Sequence, residues 1–141
     1  YYRTVAHLFD DPLVEFVGEV DEVAKNDFLG NARALLFPID WPEPFGLVLI
    51  EALACGTPVI AYDHGSVREI ITPGESGCIV SSIEQAVDAV AAVGDLSRQR
   101  CREIFATRFT AARMARDYLE HYRQLMAAQA SCTATPAREV G

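Results

Sequence analysis

Apolar and polar positions along this chain follow two different patterns. Four short apolar runs with turn-forming flanks are typical of strands, and they cover residues 13–18, 33–38, 58–62 and 78–80. Longer segments predict helices at residues 22–32, 45–55, 66–71, 83–93, 96–105 and 110–130. Asp21 is a suitable N-cap for the first of these helices, and Gly56 is a suitable end for the second.

Strands that alternate with helices predict an α/β fold, in which a parallel sheet is covered by helices on both faces. Such sheets bind ligands beyond the carboxyl ends of their strands. The loops that follow the first three predicted strands are therefore the expected site, and they lie near residues 18–20, 40–46 and 63–66.

The helix that begins near Phe45 and Gly46 offers unpaired backbone N–H groups and the positive end of a helix dipole. Gly46 would let a ligand approach the backbone closely. This combination suits a phosphate group. The signal is weak alone, because every strand–helix–strand unit has a helix start of this kind.

Two carboxylates frame this helix start. Between positions 45 and 62, Glu51 is the only acidic or basic residue, and burying its charge would be costly without a partner. Glu51 either faces solvent or accepts hydrogen bonds from hydroxyl groups, such as the vicinal pair of a ribose. Glu43 either caps the helix N-terminus or contacts a ligand just outside it. The spacing leaves both pairs of interpretations open.

Length and charge narrow the class of protein. The 141 residues suffice for one domain or a large part of one, and 50% hydrophobic residues allow a core. Residues 1–95 carry 4 basic and 16 acidic side chains, so the body is acidic and nucleic acid is not an expected partner. The four cysteines and three histidines lack zinc-like spacing, so no metal site is expected. Because the chain opens at Tyr1 without Met, we expect it to be part of a longer protein.

Residues 33–80 resemble the carboxyl-terminal region of the retaining glycosyltransferases of family 4, which have the two-domain GT-B fold. Weaker similarity extends upstream to residues 14–20 and downstream to residues 108–125. Arg68 departs from the pattern, because the family often has a small residue or Pro there. The resemblance is carried by Phe37-Pro38, Glu43-Pro44-Phe45-Gly46-Leu47, the segment 51–61 that begins at Glu51, Gly65-Ser66-Val67-Arg68-Glu69, and residues 74–80.

The resemblance implies a Rossmann-like donor domain and a role for each matching residue. Glu43 would contact the donor sugar near the reacting carbon and is the implied catalytic residue. Glu51 would bind the ribose hydroxyls. The backbone N–H groups of Phe45, Gly46 and Leu47 would meet the donor sugar and the diphosphate. The residues that would lie near the base are Gly18, Glu19 and Val20.

The resemblance also implies partners. The donor would be a UDP-, GDP- or ADP-sugar, with no cofactor or metal, and the enzyme would be cytoplasmic, or membrane-peripheral at full length. Residues 1–130 would be part of the carboxyl-terminal domain, followed by a flexible tail at 131–141. Without the amino-terminal acceptor domain, we expect the isolated chain to be inactive and open to self-association.

Two alternatives stay open at this point. The chain could be a truncated module that binds a nucleotide or a protein without catalysis, or part of a GT-B nucleotide-sugar epimerase. The intact Glu43, Gly46 and Glu51 favour a working site over a degenerate one, and the Pro-Phe-Gly context favours sugar transfer over epimerisation.

Overall fold

The computed structural model describes residues 2–133, with side chains described from 4 to 129. A short helix and a 3-10 turn, Ala6–Asp10, precede the body of the fold. The strands are β1 (Leu35–Phe37), β2 (Val59–Tyr62) and β3 (Gly77–Val80). The helices are α1 (Tyr2–Val5), α2 (Lys25–Asn31), α3 (Leu47–Ala54), α4 (Val67–Ile70), α5 (Ile83–Ala92), α6 (Arg98–Arg108) and α7 (Ala111–Thr133).

The three strands form one parallel sheet in the order β1-β2-β3. Helices α3, α4 and α6 cover one face, where Leu49, Leu53 and Val59 are fully buried. Helix α5 lies on the other face, where Ile60 and Val93 are buried. The predicted α/β fold, a Rossmann-like parallel sheet with flanking helices, is therefore confirmed.

The predicted first strand, residues 13–18, is wrong. The segment has neither helical nor strand structure, and Leu13 is 94% exposed and Phe16 68% exposed. A strand is stabilised by hydrogen bonds to a neighbouring strand, and within the described residues the ladders join only β1, β2 and β3. The apolar run at 13–18 lacks such a neighbour, so its pattern alone does not produce a strand. Gly18 does adopt the left-handed conformation expected of a turn, with φ 73°.

The helix ends follow the predicted capping residues. Asp21 Oδ1 accepts hydrogen bonds from the backbone N–H groups of Val23 at 3.0 Å and Ala24 at 2.8 Å. This capped turn occupies residues 22–24, so α2 begins at Lys25 rather than at position 22. Gly56, with φ 71°, ends α3 by donating its N–H to the Leu53 carbonyl.

The carboxyl-terminal helix is longer than the pattern predicts. Helix α7 continues to Thr133, and the rest of the predicted tail, residues 134–141, lies outside the described residues. Within the part of the chain that the structure describes, no helix combines the length and the apolar character that crossing a bilayer requires.

Candidate functional site

The loop after β1 turns into α3 at Gly46, which adopts a left-handed conformation with φ 67°. The backbone angle favours glycine, and an added Cβ, 2.9 Å from Leu49 Cδ1, would displace the end of that side chain. The turn leaves the first N–H groups of α3 at the carboxyl end of the sheet, where the sequence predicts the site.

Glu43 holds the turn that leads into this helix. Its Oε1 accepts a hydrogen bond from the Gly46 N–H at 3.1 Å and a longer one from the Phe45 N–H at 3.4 Å. Of the two interpretations left open for Glu43, the structure is nearer to the capping one, but Glu43 binds N–H groups of the turn before α3 rather than those within the helix. A carboxylate at this position also interacts favourably with the helix dipole. Contact between Glu43 and a donor sugar stays a prediction.

The loop after β2 packs against the backbone of the loop that carries Glu43. The Ser66 N–H donates to the Glu43 carbonyl at 2.9 Å. At Gly65, which has φ 55°, an added Cβ would lie 2.2 Å from the same carbonyl oxygen and 2.6 Å from the Glu43 nitrogen. The backbone of Glu43 therefore packs directly on Gly65, and the position tolerates no side chain. The sequence pattern included Gly65 but did not indicate this role.

Glu51 has a partner from outside the predicted site. Lys25 Nζ, at the start of α2, donates to Glu51 Oε1 at 2.7 Å and to Glu22 Oε1 at 2.9 Å. The Glu51 side chain is about one-third exposed, so the fold meets the cost of its partial burial with an opposite charge. These hydrogen bonds, the one to Glu51 first, raise the pKa of Lys25.

Residues Gly18, Glu19 and Val20 lie in the segment before α2. Gly18 and Glu19 are exposed, and Val20 is half-buried. Within the described residues, neither a hydrogen bond nor an ion pair joins these three residues to α3. The structure thus brings Glu43, Phe45, Gly46, Leu47 and Glu51 together at one helix, whereas the base contacts at 18–20 stay a prediction.

A cavity of about 340 Å³ lies beside the start of α3. Phe45, Ser66, Arg108 and Arg113 are among its lining residues. Ser66 is 7% exposed, and its Oγ is buried without a hydrogen-bond partner in the described part of the chain. A Cβ at Gly46 would lie 3.2 Å from this Oγ, so the hydroxyl is adjacent to the helix start. A buried, unpartnered hydroxyl is uncommon and costs stability.

The two arginines on this cavity were not predicted from the sequence, because they lie on α6 and at the start of α7, far from α3 along the chain. Arg113 Nη1 donates to the Arg108 carbonyl at 2.6 Å, and Arg113 Nε lies 3.2 Å from Asp117 Oδ2. The Arg108 guanidinium donates to the Glu69 carbonyl. Both cations are therefore already engaged by carbonyl or carboxylate oxygens.

An ion pair in the loop after β2 involves the unusual residue at position 68. The Arg68 guanidinium pairs with Asp63, which raises the pKa of Arg68, and closes the loop across five residues. Next to it, His64 Nε2 lies 3.1 Å from Asp40 Oδ1, which joins the loops after β1 and β2. Arg68 thus links two positions of the loop that supports Glu43.

The parallel sheet with helices on both faces is a Rossmann-like α/β domain, with Glu43 just before α3 and Glu51 on it. Residues 11–108 match the family model described as "Glycosyl transferases group 1", which is more than half of the chain. The chain therefore belongs to this family of glycosyltransferases.

Curated relatives support the same family. The phosphatidyl-myo-inositol mannosyltransferase of Mycobacterium leprae is 37% identical over 90 residues, which are 64% of this chain and 24% of that protein. The D-inositol 3-phosphate glycosyltransferase 2 of Catenulispora acidiphila is 38% identical over 93 residues, which are 66% of this chain and 22% of that protein. The chain thus spans about a quarter of the length of these relatives.

Solved structures share the fold. Sucrose-phosphate synthase from Thermosynechococcus elongatus superimposes with a TM-score of 0.71 at 32% identity, covering 89% of this chain and 33% of that chain. The Anabaena protein Alr3699/HepE, solved in complex with UDP, gives a TM-score of 0.73 at 21% identity, covering 87% and 35%. At that identity, the second likeness is one of fold alone.

Proposed function

We propose that this chain is the donor-binding part of a retaining glycosyltransferase, which passes a sugar from a nucleotide-sugar to an acceptor. One observation carries the proposal: Glu43 accepts the hydrogen bonds of the two N–H groups immediately before α3, and Glu51 lies on that helix. A helix start with two partly exposed carboxylates suits a ligand that combines a diphosphate with hydroxyl groups. Membership of the family of glycosyl transferases group 1 supports sugar transfer as the reaction.

The diphosphate would bind at the start of α3. A phosphate oxygen would accept hydrogen bonds from the backbone N–H groups of Phe45, Gly46 and Leu47. In the structure, Glu43 Oε1 accepts the first two of these. Glu43 would then turn toward a hydroxyl of the donor sugar. The Ser66 hydroxyl, buried and unpartnered among the described residues, would donate to the same phosphate or sugar group. Binding would thus satisfy a group that is costly to leave unpaired.

The nucleoside would extend from this point along the helix. Glu51 would accept hydrogen bonds from the ribose hydroxyls, and residues 18–20 would lie near the base. Catalysis would require stabilisation of the negative charge that develops on the departing diphosphate. The α3 dipole supplies part of this stabilisation. The proposal needs no resident cofactor.

We also propose that residues 1–141 alone do not catalyse sugar transfer. Arg108 and Arg113 are the cations on the cavity beside α3, and both are held by oxygens of the chain itself. The acceptor domain would come from outside these residues. Incubation of the chain with each donor and a panel of polyol acceptors should give no transfer product by mass spectrometry. Turnover near the rate of a complete enzyme would refute this part of the proposal.

The chain exposes apolar side chains beside the edge of its sheet, and we therefore expect it to self-associate. Leu36 on the edge strand β1 is 58% exposed, and it lines an apolar cavity of about 220 Å³ with Val87 and Val90. Size-exclusion chromatography with light scattering should show a mass that rises with concentration. A monomer at all concentrations would contradict this expectation.

Calorimetric titration with UDP, GDP and ADP tests the binding proposal. We expect at least one to bind, and Glu51→Ala to weaken that binding about tenfold or more, as for loss of a hydrogen bond to a charged group. Glu103→Ala, on the exposed surface of α6, is the matched control and should bind normally. Equal affinities for the two variants would refute the assignment of Glu51.

A further inference from the structure

Lys25 holds Glu51 from a different helix. Its Nζ lies 2.7 Å from Glu51 Oε1, and the Lys25 side chain is only 22% exposed. Its second partner, Glu22, is 88% exposed, and such a pair is worth little because water screens it. The partly buried contact with Glu51 is therefore the stronger of the two contacts of Lys25.

The helix that carries Lys25 is itself fixed at its far end. Arg98 donates from Nη2 to the Gly30 carbonyl at 2.6 Å and from Nη1 to the Ala32 carbonyl at 2.8 Å. The Thr57 hydroxyl donates to the Leu29 carbonyl at 2.6 Å. These bonds join the carboxyl end of α2 to the turn after α3 and to α6. Lys25 thus extends from a rigid support rather than from a loop.

The turn before α2 sets the position of Lys25 at the other end. Asp21 caps residues 23 and 24 through its side chain, and its carbonyl accepts the Lys25 N–H at 2.9 Å. The start of α2 is therefore defined by local hydrogen bonds. A lysine held at both backbone and side chain loses less freedom when it orients a partner.

We propose that Lys25 is a positioning residue for Glu51. It holds Oε1 and leaves the other carboxylate oxygen, which has no hydrogen-bond partner in the described residues, facing the ribose hydroxyls. This inference rests on the proposed function. A free glutamate side chain samples several rotamers, and fixing it before the ligand arrives removes that entropy cost from binding. Lys25 itself need not touch the nucleotide.

The preference for ribose over 2′-deoxyribose is the readout that separates positioning from stability. The probes are UDP, GDP and ADP, whichever the wild-type full chain binds, each compared with its 2′-deoxy counterpart. We expect the wild-type chain to prefer the ribonucleotide about tenfold or more. Lys25→Met should reduce this preference about three- to tenfold, and Lys25→Arg should retain most of it.

Glu22→Gln is the matched control, because it removes the other carboxylate partner of Lys25 and should leave the preference unchanged. If Lys25→Met weakens both nucleotides equally, or lowers Tm without changing the preference, the positioning role is overturned. If Lys25→Met is too unstable for titration, Lys25→Gln is measured and interpreted in the same way.

Glu51→Ala distinguishes failure of the inference from failure of the proposed function. If Glu51→Ala abolishes the ribose preference and Lys25→Met does not change it, only the inference about Lys25 fails. If neither substitution changes the preference, or if the wild-type chain binds none of the three nucleotides, the proposed function fails, and the inference with it.

Discussion

The loops at residues 40–46 and 18–20 were both predicted to follow a strand and to contact the donor. The first loop follows β1 and packs on Gly65. The second follows no strand, and Leu13 and Phe16, in the segment before it, are exposed to solvent. A site loop is thus defined by the elements packed around it as well as by its own residues.

Two glycines show the difference most clearly. Gly65 and Gly18 both adopt positive φ, at 55° and 73°. The space for a Cβ at Gly65 is occupied by the backbone of Glu43, while a Cβ at Gly18 would meet nothing within 4 Å. The same residue type therefore serves close packing in one region and a simple turn in the other.

The largest expected difference is in the free energy of unfolding, after truncation of one buried and one exposed leucine. Leu53 is fully buried between α3 and the sheet, and Leu13 is 94% exposed. Leu53→Ala should lower the free energy of unfolding by about 2–5 kcal/mol, because it leaves a cavity. Leu13→Ala should change it by less than about 0.5 kcal/mol. Urea unfolding followed by circular dichroism measures both, and a comparable loss in Leu13→Ala would show that residues 13–20 pack after all.

Glycine substitution should give the next largest contrast. Gly65→Ala forces a Cβ against the Glu43 backbone, so we expect a loss of about 2–4 kcal/mol together with weaker nucleotide binding. Gly18→Ala should cost only the left-handed strain of about 1–2 kcal/mol. Thermal unfolding and calorimetric titration of both variants make the comparison. Normal binding by a folded Gly65→Ala variant would contradict the role of this contact in supporting Glu43.

Two buried serines offer a further comparison, between Ser66 on the cavity beside α3 and Ser76 outside that cavity. Ser66 Oγ is unpartnered in the described residues, whereas Ser76 Oγ accepts the Thr72 N–H at 2.9 Å. Ser66→Ala should therefore leave Tm unchanged or raised, while it weakens nucleotide binding about three- to tenfold. Ser76→Ala should lower the free energy of unfolding by about 1 kcal/mol without affecting binding. Unchanged affinity in Ser66→Ala would remove Ser66 from the proposed site.

The smallest expected effect concerns the thiols. Burial raises the pKa of Cys101, whereas Cys55 and Cys78 are only half-buried. At pH 8, iodoacetamide should modify Cys101 at least about tenfold more slowly than Cys55 and Cys78, as peptide mass spectrometry can measure. Because the folded pKa is raised, Cys101 supports the fold below the ordinary thiol pKa of about 8.5, and this support falls as pH rises further. Equal modification rates would contradict the burial of Cys101.

Most of the fold followed from short-range pattern. The predicted strands at 33–38, 58–62 and 78–80 and the helices between them have apolar positions that match the positions buried in the two core clusters. Capping by Asp21 and termination at Gly56 were also local properties. The strand at 13–18 failed because pairing is a long-range property, which an apolar run does not encode.

The candidate site was only partly predictable for the same reason. Glu43, Gly46 and Glu51 lie within nine residues, and a local motif identifies them. The Lys25–Glu51 pair, the Gly65 contact and the arginines on the cavity join residues far apart in the chain. Sequence did indicate that a partly buried Glu51 needs a partner, but it could not select Lys25.

The central claim is that the start of α3 binds the diphosphate of a nucleotide. Titration of the 15N-labelled chain with UDP, GDP and ADP, followed by amide chemical shifts, tests it most directly. We predict saturable shifts at the Phe45, Gly46 and Leu47 amides, with the amides of Tyr118 and Tyr122 on α7 unchanged. Unshifted amides at 45–47 with all three nucleotides, or saturable shifts confined to other parts of the chain, would contradict the account.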